Sequence, residues 1–168
     1  ASPRAPGPIP THSTREPTGR QCDVTSKYTS RYRDLASCDP LSAFGSGLSY
    51  TNFSVTNLRL STPTVSKNGK VTASVDVANT GAVAGDEVVQ LYINDPVASI
   101  SQPVRRLRGF QRVTLKPAEK RTVTFTLDRK DFGFYDNLGR FVVEPGRIDV
   151  YAGDSSKADL LQSFTVSN

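Results

Sequence analysis

The residues of this 168-residue chain that could do chemistry are few, and the cysteines and the histidine come first. Cys22 and Cys38 are the two cysteines, and a disulfide between them would remove roughly 3 kcal/mol of unfolded-chain entropy. Two free thiols are the alternative, and an exported protein follows if the bond forms. Two thiols cannot complete a four-ligand zinc site, and the single histidine, His12, lies well upstream in a Pro-rich stretch. We therefore predict no metal site and no cofactor.

Two acidic pairs are the remaining candidates for general acid–base chemistry. Asp86 and Glu87 are neighbours in a strand-like segment, where adjacent side chains point to opposite faces. Asp131 and Asp136 flank a turn, a position where Asp is favoured because it bonds the local backbone. We predict that neither pair is catalytic.

The tyrosines suggest contact with carbohydrate or with another domain, since aromatic faces stack on sugars. Tyr28 and Tyr32, with Arg31 between them, are candidates for contact with a neighbouring domain or a substrate cleft. The other candidates are Tyr92, Tyr135 and Tyr151, but tyrosines on strands usually pack in the core or at its rim. We predict that these three pack in this way.

The net charge of +5 is the signal that would favour nucleic acid, because phosphates reward clustered Lys and Arg. Most basic residues are instead spread along strands and turns. The dense group consists of Arg105, Arg106, Arg108 and Arg112. We interpret it as a solvated sheet face and predict no nucleic-acid partner, with an anionic polymer as the alternative. No apolar run approaches the about 20 residues of a membrane helix, so we predict no membrane partner.

The organisation of the chain changes near residue 52. Residues 1–51 are rich in Pro, Ser, Thr and Arg and show no helical or strand periodicity, which predicts an extended connecting arm. Residues 52–168 are predicted to form one folded domain. The chain begins with ASPRAPGPIP, without an initiator Met or an apolar signal core, so we expect a processed chain or a piece of a longer protein.

Apolar–polar alternation with a period of two dominates the second part. It is clearest over 71–77 and 123–127, and turn residues separate the alternating segments. About seven strands without a convincing helix predict an all-β, immunoglobulin-like sandwich. A bulge at Gly109 is expected to let Phe110 and Val113 both reach the core. The predicted core also contains Val88, Val89, Leu91, Val123, Phe125, Leu127, Ile148 and Val150.

Four sequence segments resemble a known family in their order and spacing. They are FGSGLSYTNF at 44–53, VDVANTGAVAGDEVVQLYI at 75–93, RRLRGFQRVTLKPAEKRTVTFTL at 105–127 and FGFYDNLGRFVVEPG at 132–146. Together they resemble the C-terminal fibronectin type III-like domain of glycoside hydrolase family 3. In the arm, 17–20 and 26–34 resemble the segment that precedes this domain in bacterial β-glucosidases and β-xylosidases. Ala43 and Ser46 depart from the family pattern.

The resemblance implies that the catalytic residues of such an enzyme lie elsewhere. Family 3 enzymes use a nucleophilic Asp and an acid/base Glu on two other domains, about 5 Å apart across the sugar. No position here matches either motif, so no catalytic residue is assigned, and activity of the chain alone is left open. The implied role is a non-catalytic structural domain that packs on the catalytic domains of a secreted or periplasmic β-glycosidase. A free-standing module that binds carbohydrate or a surface is the alternative.

Overall fold

The computed structural model describes residues 42–168. The predicted disulfide partners Cys22 and Cys38, and the candidates Tyr28, Arg31 and Tyr32, lie outside these residues. The described part contains ten strands and one short helix. They are β1 Phe53–Leu60, β2 Thr64–Ser66, β3 Val71–Asn79, β4 Gly85–Asn94, β5 Arg106–Leu115, β6 Lys120–Leu127, α1 Arg129–Phe132, β7 Phe134–Tyr135, β8 Phe141–Val142, β9 Gly146–Gly153 and β10 Leu160–Ser167.

Two sheets pack face to face, as the alternating pattern predicts. One has three strands in the order β1-β3-β6, and the other has five strands in the order β2-β10-β9-β4-β5. The pairings are antiparallel except that β2 lies parallel to β10. The strands β7 and β8 form a separate small hairpin. The predicted all-β sandwich is confirmed, and the strands beyond the expected seven are the short β2, β7 and β8.

The core lies between the two sheets and is built from alternate residues of each strand. On β3, every second residue from Val71 to Val77 is fully buried. Seven of the predicted core residues are in this core: Val89, Leu91, Val113, Val123, Leu127, Ile148 and Val150. Phe125 packs against its edge. Val88 was predicted wrongly, because it follows the alternation of β4 to the outer face and is 38% exposed.

A bulge in β5 corrects a second prediction about the core. The pairing of β4 with β5 skips Arg108, one residue before the predicted position at Gly109. After the bulge, Val113 faces the core, whereas Phe110 points outward and is 69% exposed. Gly109 faces inward instead, and an added Cβ would lie 2.7 Å from Cδ1 of Phe125. The glycine therefore makes room for that ring.

The four-residue helix α1 was not predicted, because it is little more than one helical turn and so cannot show a repeating apolar pattern. Its start is fixed by a capping box, in which Asp128 accepts from the backbone of the first turn and Asp131 accepts from the backbone N–H of Asp128. The helix places Phe132 edge-on against Phe164, with ring centroids 5.8 Å apart. In the described part of the chain, no helix is long and apolar enough to cross a membrane.

Candidate domain interface

The chain enters the sandwich through an irregular segment, Phe44–Asn52, which begins in a turn and which we call the strap. Near its start, the backbone N–H of Ser156 donates to the carbonyl of Phe44 at 2.8 Å. At its end, the backbone N–H of Thr80 donates to the carbonyl of Asn52 at 2.8 Å. The strap is thus attached to the sandwich at two points, and β1 begins directly after it.

The first attachment depends on a buried amide on the outer face of β4. Gln90 is 4% exposed, and its Nε2 donates to the carbonyl of Gly45 at 2.8 Å and to that of Asp154 at 2.7 Å. Its Oε1 accepts from the hydroxyl of Tyr92. All the polar atoms of the Gln90 side chain therefore have partners, which is what burial of an amide requires.

Gly45 is required at this attachment by conformation and by space. Its φ is +80°, in the left-handed region that favours glycine. A Cβ at this position would lie 2.0 Å from Oε1 of Gln90. A larger residue would therefore push the strap away from the buried amide.

The second attachment is made by Asn79, which is 1% exposed at the end of β3. Its Nδ2 donates to the carbonyls of Val83 and Leu115, at 2.8 and 3.0 Å. Its Oδ1 accepts from the Thr51 hydroxyl at 2.9 Å and from the backbone N–H of Gly81 at 3.0 Å. One side chain therefore joins the strap, the turn after β3 and the end of β5.

Between the two attachments, the strap presents apolar side chains to solvent. Leu48 and Tyr50 are fully exposed, and Phe44 is about half exposed. Leu48 and Tyr50 lie two residues apart in this segment. A segment held at both ends that exposes two large apolar side chains is typical of a surface that another domain covers.

Burial of Tyr92 beneath this attachment changes its ionisation. Tyr92 is 1% exposed, and loss of solvent raises its pKa from 10.0 to about 12, with Arg105 opposing the shift. Tyr151 is half-buried under the guanidinium of Arg105, whose Cζ lies 4.0 Å from the ring centroid. These two tyrosines pack as predicted. Tyr135 does not, since it is 66% exposed on β7, where its ring lies 5.3 Å from that of Phe141 in a T-shaped arrangement.

The first acidic pair is divided between separate local roles. The carboxylate of Asp86 binds Arg112 and Thr114 on the neighbouring strand, and these bonds lower its pKa, with Thr114 the larger cause. Oε1 of Glu87 accepts from the backbone N–H of Val88 at 2.8 Å, while burial raises the pKa of this carboxyl. The two carboxyl groups therefore bind different partners and do not face a shared site.

The second acidic pair is also occupied by backbone bonds. Asp131 closes the capping box of α1. Asp136 accepts from the backbone N–H groups of Leu138 and Arg140, both at 2.9 Å, and these contacts lower its pKa. This turn role is the one predicted from the sequence. In the described residues, no group of three or more His, Cys, Asp or Glu side chains could hold a metal ion.

The four clustered arginines do not form one basic surface. Nη1 of Arg105 donates to the carbonyls of Ser156 and Ala158, at 2.5 and 2.9 Å. Arg112 pairs with Asp86. Arg106 and Arg108 are largely withdrawn from solvent, and burial lowers the pKa of both. This arrangement does not present a row of free cations to a polyanion.

Comparison with known proteins gives the same result as the fold. Residues 87–156 match the model of the fibronectin type III-like domain. The chain is 46% identical over 156 residues to the periplasmic β-glucosidase of Salmonella typhimurium, covering 92% of this chain and 20% of that protein. It is 39% identical to a β-xylosidase of Formosa agariphila, covering 98% of this chain and 22% of that protein. The chain thus spans about a fifth of the length of the curated relatives it matches.

Solved structures of β-glucosidases contain the same fold. The β-glucosidase of Listeria innocua, in complex with isofagomine, superposes with a TM-score of 0.83 at 33% identity, over 95% of this chain and 22% of that one. A β-glucosidase of Erythrobacter marinus gives 0.77 at 39% identity, over 82% of this chain and 18% of that one. Residues 42–168 form a fibronectin type III-like accessory domain. More particularly, it belongs to the type found in glycoside hydrolase family 3 enzymes, as the sequence motifs predicted.

The structure brings residues of three of those motifs together at the strap, which the sequence alone did not predict. Gly45 of the FGSGLSY segment, Asn79 of the NTG turn and Gln90 of the GDEVVQLY strand all hold the strap. Sequence analysis identified the segments but did not connect them. One feature of the sequence could have indicated the attachment: Gln90 is the single polar residue inside the apolar run 88–93, so it needs a buried partner.

Proposed function

We propose that this chain is the non-catalytic structural domain of a family 3 β-glycosidase that hydrolyses terminal β-glucosyl or β-xylosyl residues. The observation that carries the proposal is the doubly attached strap, which exposes Leu48 and Tyr50. Burial of a large apolar side chain contributes about 1.5–3 kcal/mol. Two such side chains on one segment can therefore stabilise a contact with the catalytic domains.

Residues 1–51 would serve as the arm that leads from the catalytic domains to the sandwich, which begins at residue 52. Tyr28, Arg31 and Tyr32 would then contact the neighbouring domain or the rim of its sugar site, where any contact with carbohydrate would occur. A disulfide between Cys22 and Cys38 would restrict the arm. Its formation fits a secreted or periplasmic location, and the periplasmic relative supports that location.

The free-standing binding module is the weaker interpretation. The curated relatives contain the matching segment within proteins about five times longer, which supports an accessory role inside an enzyme. The outer face of the three-stranded sheet, where a free module would hold a glycan, is centred on Asp76. Its carboxylate already accepts from Asn57, Arg59 and Thr122 at 3.0, 3.0 and 2.8 Å.

A chimera tests the proposal. In the Salmonella typhimurium enzyme, the matching segment is replaced by this chain, and melting and glucoside hydrolysis are measured. We expect a folded, active chimera. We also expect the pair Leu48→Ser and Tyr50→Ser to lower its melting temperature without changing that of the isolated 168-residue chain.

The matched control replaces Val97 and Leu138, which are equally apolar and each 75% exposed, by Ser. This control should leave the chimera unchanged. Equal effects of the two double substitutions, or no effect of the strap substitutions on the chimera, would contradict the proposed interface.

A further inference from the structure

Phe110 is the most exposed of the large apolar side chains on the two sandwich sheets of the described part, at 69%. It lies on β5 directly opposite Gln90, whose amide holds the strap through the carbonyl of Gly45. Side chains opposite each other on paired strands have Cβ atoms about 5 Å apart. Phe110 therefore lies beside the first attachment of the strap, on the outer face of the five-stranded sheet.

The bulge in β5 is what turns Phe110 outward. Before the bulge, Leu107 pairs with Tyr92, which shares the outer face of β4 with Gln90. Regular alternation from Leu107 would bring Phe110, three residues further on, to the core side. The pairing skips Arg108 instead, so Phe110 changes face. Bulges disrupt the ladder locally and often re-aim a side chain for a purpose, which here is the exposure of a phenyl ring.

The neighbours of Phe110 give this face the composition of an interface. Val88, diagonal to Phe110 on β4, is 38% exposed on the same face. Arg112, opposite Val88, pairs with the carboxylate of Asp86. An apolar centre with a polar rim is the usual anatomy of a protein–protein interface, and aromatic residues are enriched at its centre.

We propose that Phe110 and Val88 dock in the assembled enzyme against an apolar surface of the catalytic domains, in the same contact as the strap. This inference rests on the proposed function and extends its interface to the face of β4 and β5. A standard interface buries about 800 Å² on each partner, so a contact over the strap also covers a side chain about 5 Å from its attachment. The curated relatives carry the matching segment within a chain about five times longer, which provides the occupant.

Hydroxyl-radical footprinting with mass spectrometry tests the proposal without any substitution in the sandwich. The oxidation rate of Phe110 is compared between the isolated 168-residue chain and the chimera with the Salmonella typhimurium enzyme. We expect several-fold slower oxidation of Phe110 in the chimera. We also expect equal rates in the two proteins at Tyr135, which is 66% exposed on β7. Equal rates at Phe110 would overturn the proposal.

Tyr50 separates this proposal from the proposed function in the same measurement. If Tyr50 is protected in the chimera and Phe110 is not, the strap contact stands and the docking of Phe110 is wrong. If Phe110 is protected and Tyr50 is not, the docking of Phe110 is supported and the strap contact is wrong. If neither ring is protected, both proposals are wrong.

Two other occupants of this face give different results in the isolated chain. A second copy of the chain would protect Phe110 increasingly as the concentration rises. Another part of the same chain would protect it at every concentration. In either case Phe110 of the isolated chain would be oxidised as slowly as Phe132, which is 2% exposed, and the proposal would be overturned.

Phe110→Ser adds an energetic readout. In the chimera it should shorten the half-life of glucoside hydrolysis at elevated temperature about tenfold, because a phenyl ring is lost from the contact. In the isolated chain it should leave the melting temperature unchanged, since the ring is exposed there. Tyr135→Ser is the matched control and should change neither quantity. Equal half-lives of the two folded variants in the chimera would contradict the docking of Phe110.

Discussion

The side-chain amide of Gln90 lies 2.8 Å from the carbonyl oxygen of Gly45, although 44 residues separate them along the chain. This bond joins the strap to an inner strand of the five-stranded sheet, since β4 is flanked by β9 and β5. Oε1 of the same amide accepts a hydrogen bond from the hydroxyl of Tyr92. The strap is therefore positioned by the sheet interior, which makes its exposed side chains a defined surface.

Gln90→Ala should lower the free energy of unfolding by about 2 kcal/mol, since it leaves two carbonyls and a buried hydroxyl without their partner. Urea denaturation of the 168-residue chain measures this loss. Gln111→Ala is the control, because Gln111 is exposed on β5 and its loss should cost less than about 0.5 kcal/mol. Equal costs for the two variants would show that Gln90 does not anchor the strap.

Tyr92 should keep its proton to about pH 12, because burial raises its pKa. Phenolate absorbance should show a step near pH 12 that Tyr92→Phe removes and Tyr135→Phe retains. Unfolded Tyr92 loses its proton near pH 10. Its contribution to stability is therefore present below pH 10 and is lost as the pH rises through about 12. A Tyr92→Phe titration curve that differs from the parent only near pH 10 would contradict this burial.

Gly109→Ala should destabilise the sandwich by about 1–3 kcal/mol, because the added methyl would overlap the Phe125 ring. Gly47→Ala should be nearly neutral, since its added Cβ would meet nothing within 4 Å. Adding Phe125→Leu to Gly109→Ala should cost less than the sum of the single changes, because both act on the same space. Additive costs in thermal denaturation would mean that the two positions do not touch.

Asn57 occupies a bulge in β1 with a φ of 57°, a conformation that β-branched residues avoid. Asn57→Val should therefore cost about 1–2 kcal/mol more than Asn57→Gly in chemical denaturation. Both variants lose the bond to Asp76, so their difference isolates the backbone. Thr56→Val, at an exposed neighbouring position of β1, is the control. No difference between the two Asn57 variants would argue against the bulge.

The strand alternation could be predicted because burial alone decides it, and the inward residues of β3 follow it without exception. Val88 and Phe110 were mispredicted because an apolar residue in a strand looks like a core residue in the sequence. Val88 lies on the outer face of β4, and Phe110 points outward after the bulge in β5. The strap attachments depend on hydrogen bonds between distant residues, such as Thr51 with Asn79. No local periodicity encodes such pairs.

The central claim is that this chain supports an enzyme and does no chemistry alone. The most direct test is hydrolysis of nitrophenyl β-glucoside and nitrophenyl β-xyloside by the purified chain, with the 18.2 kDa mass of the sample verified in parallel. Our account predicts no turnover above the buffer rate. Turnover by a sample of that mass, at a rate that follows the amount of chain, would contradict it.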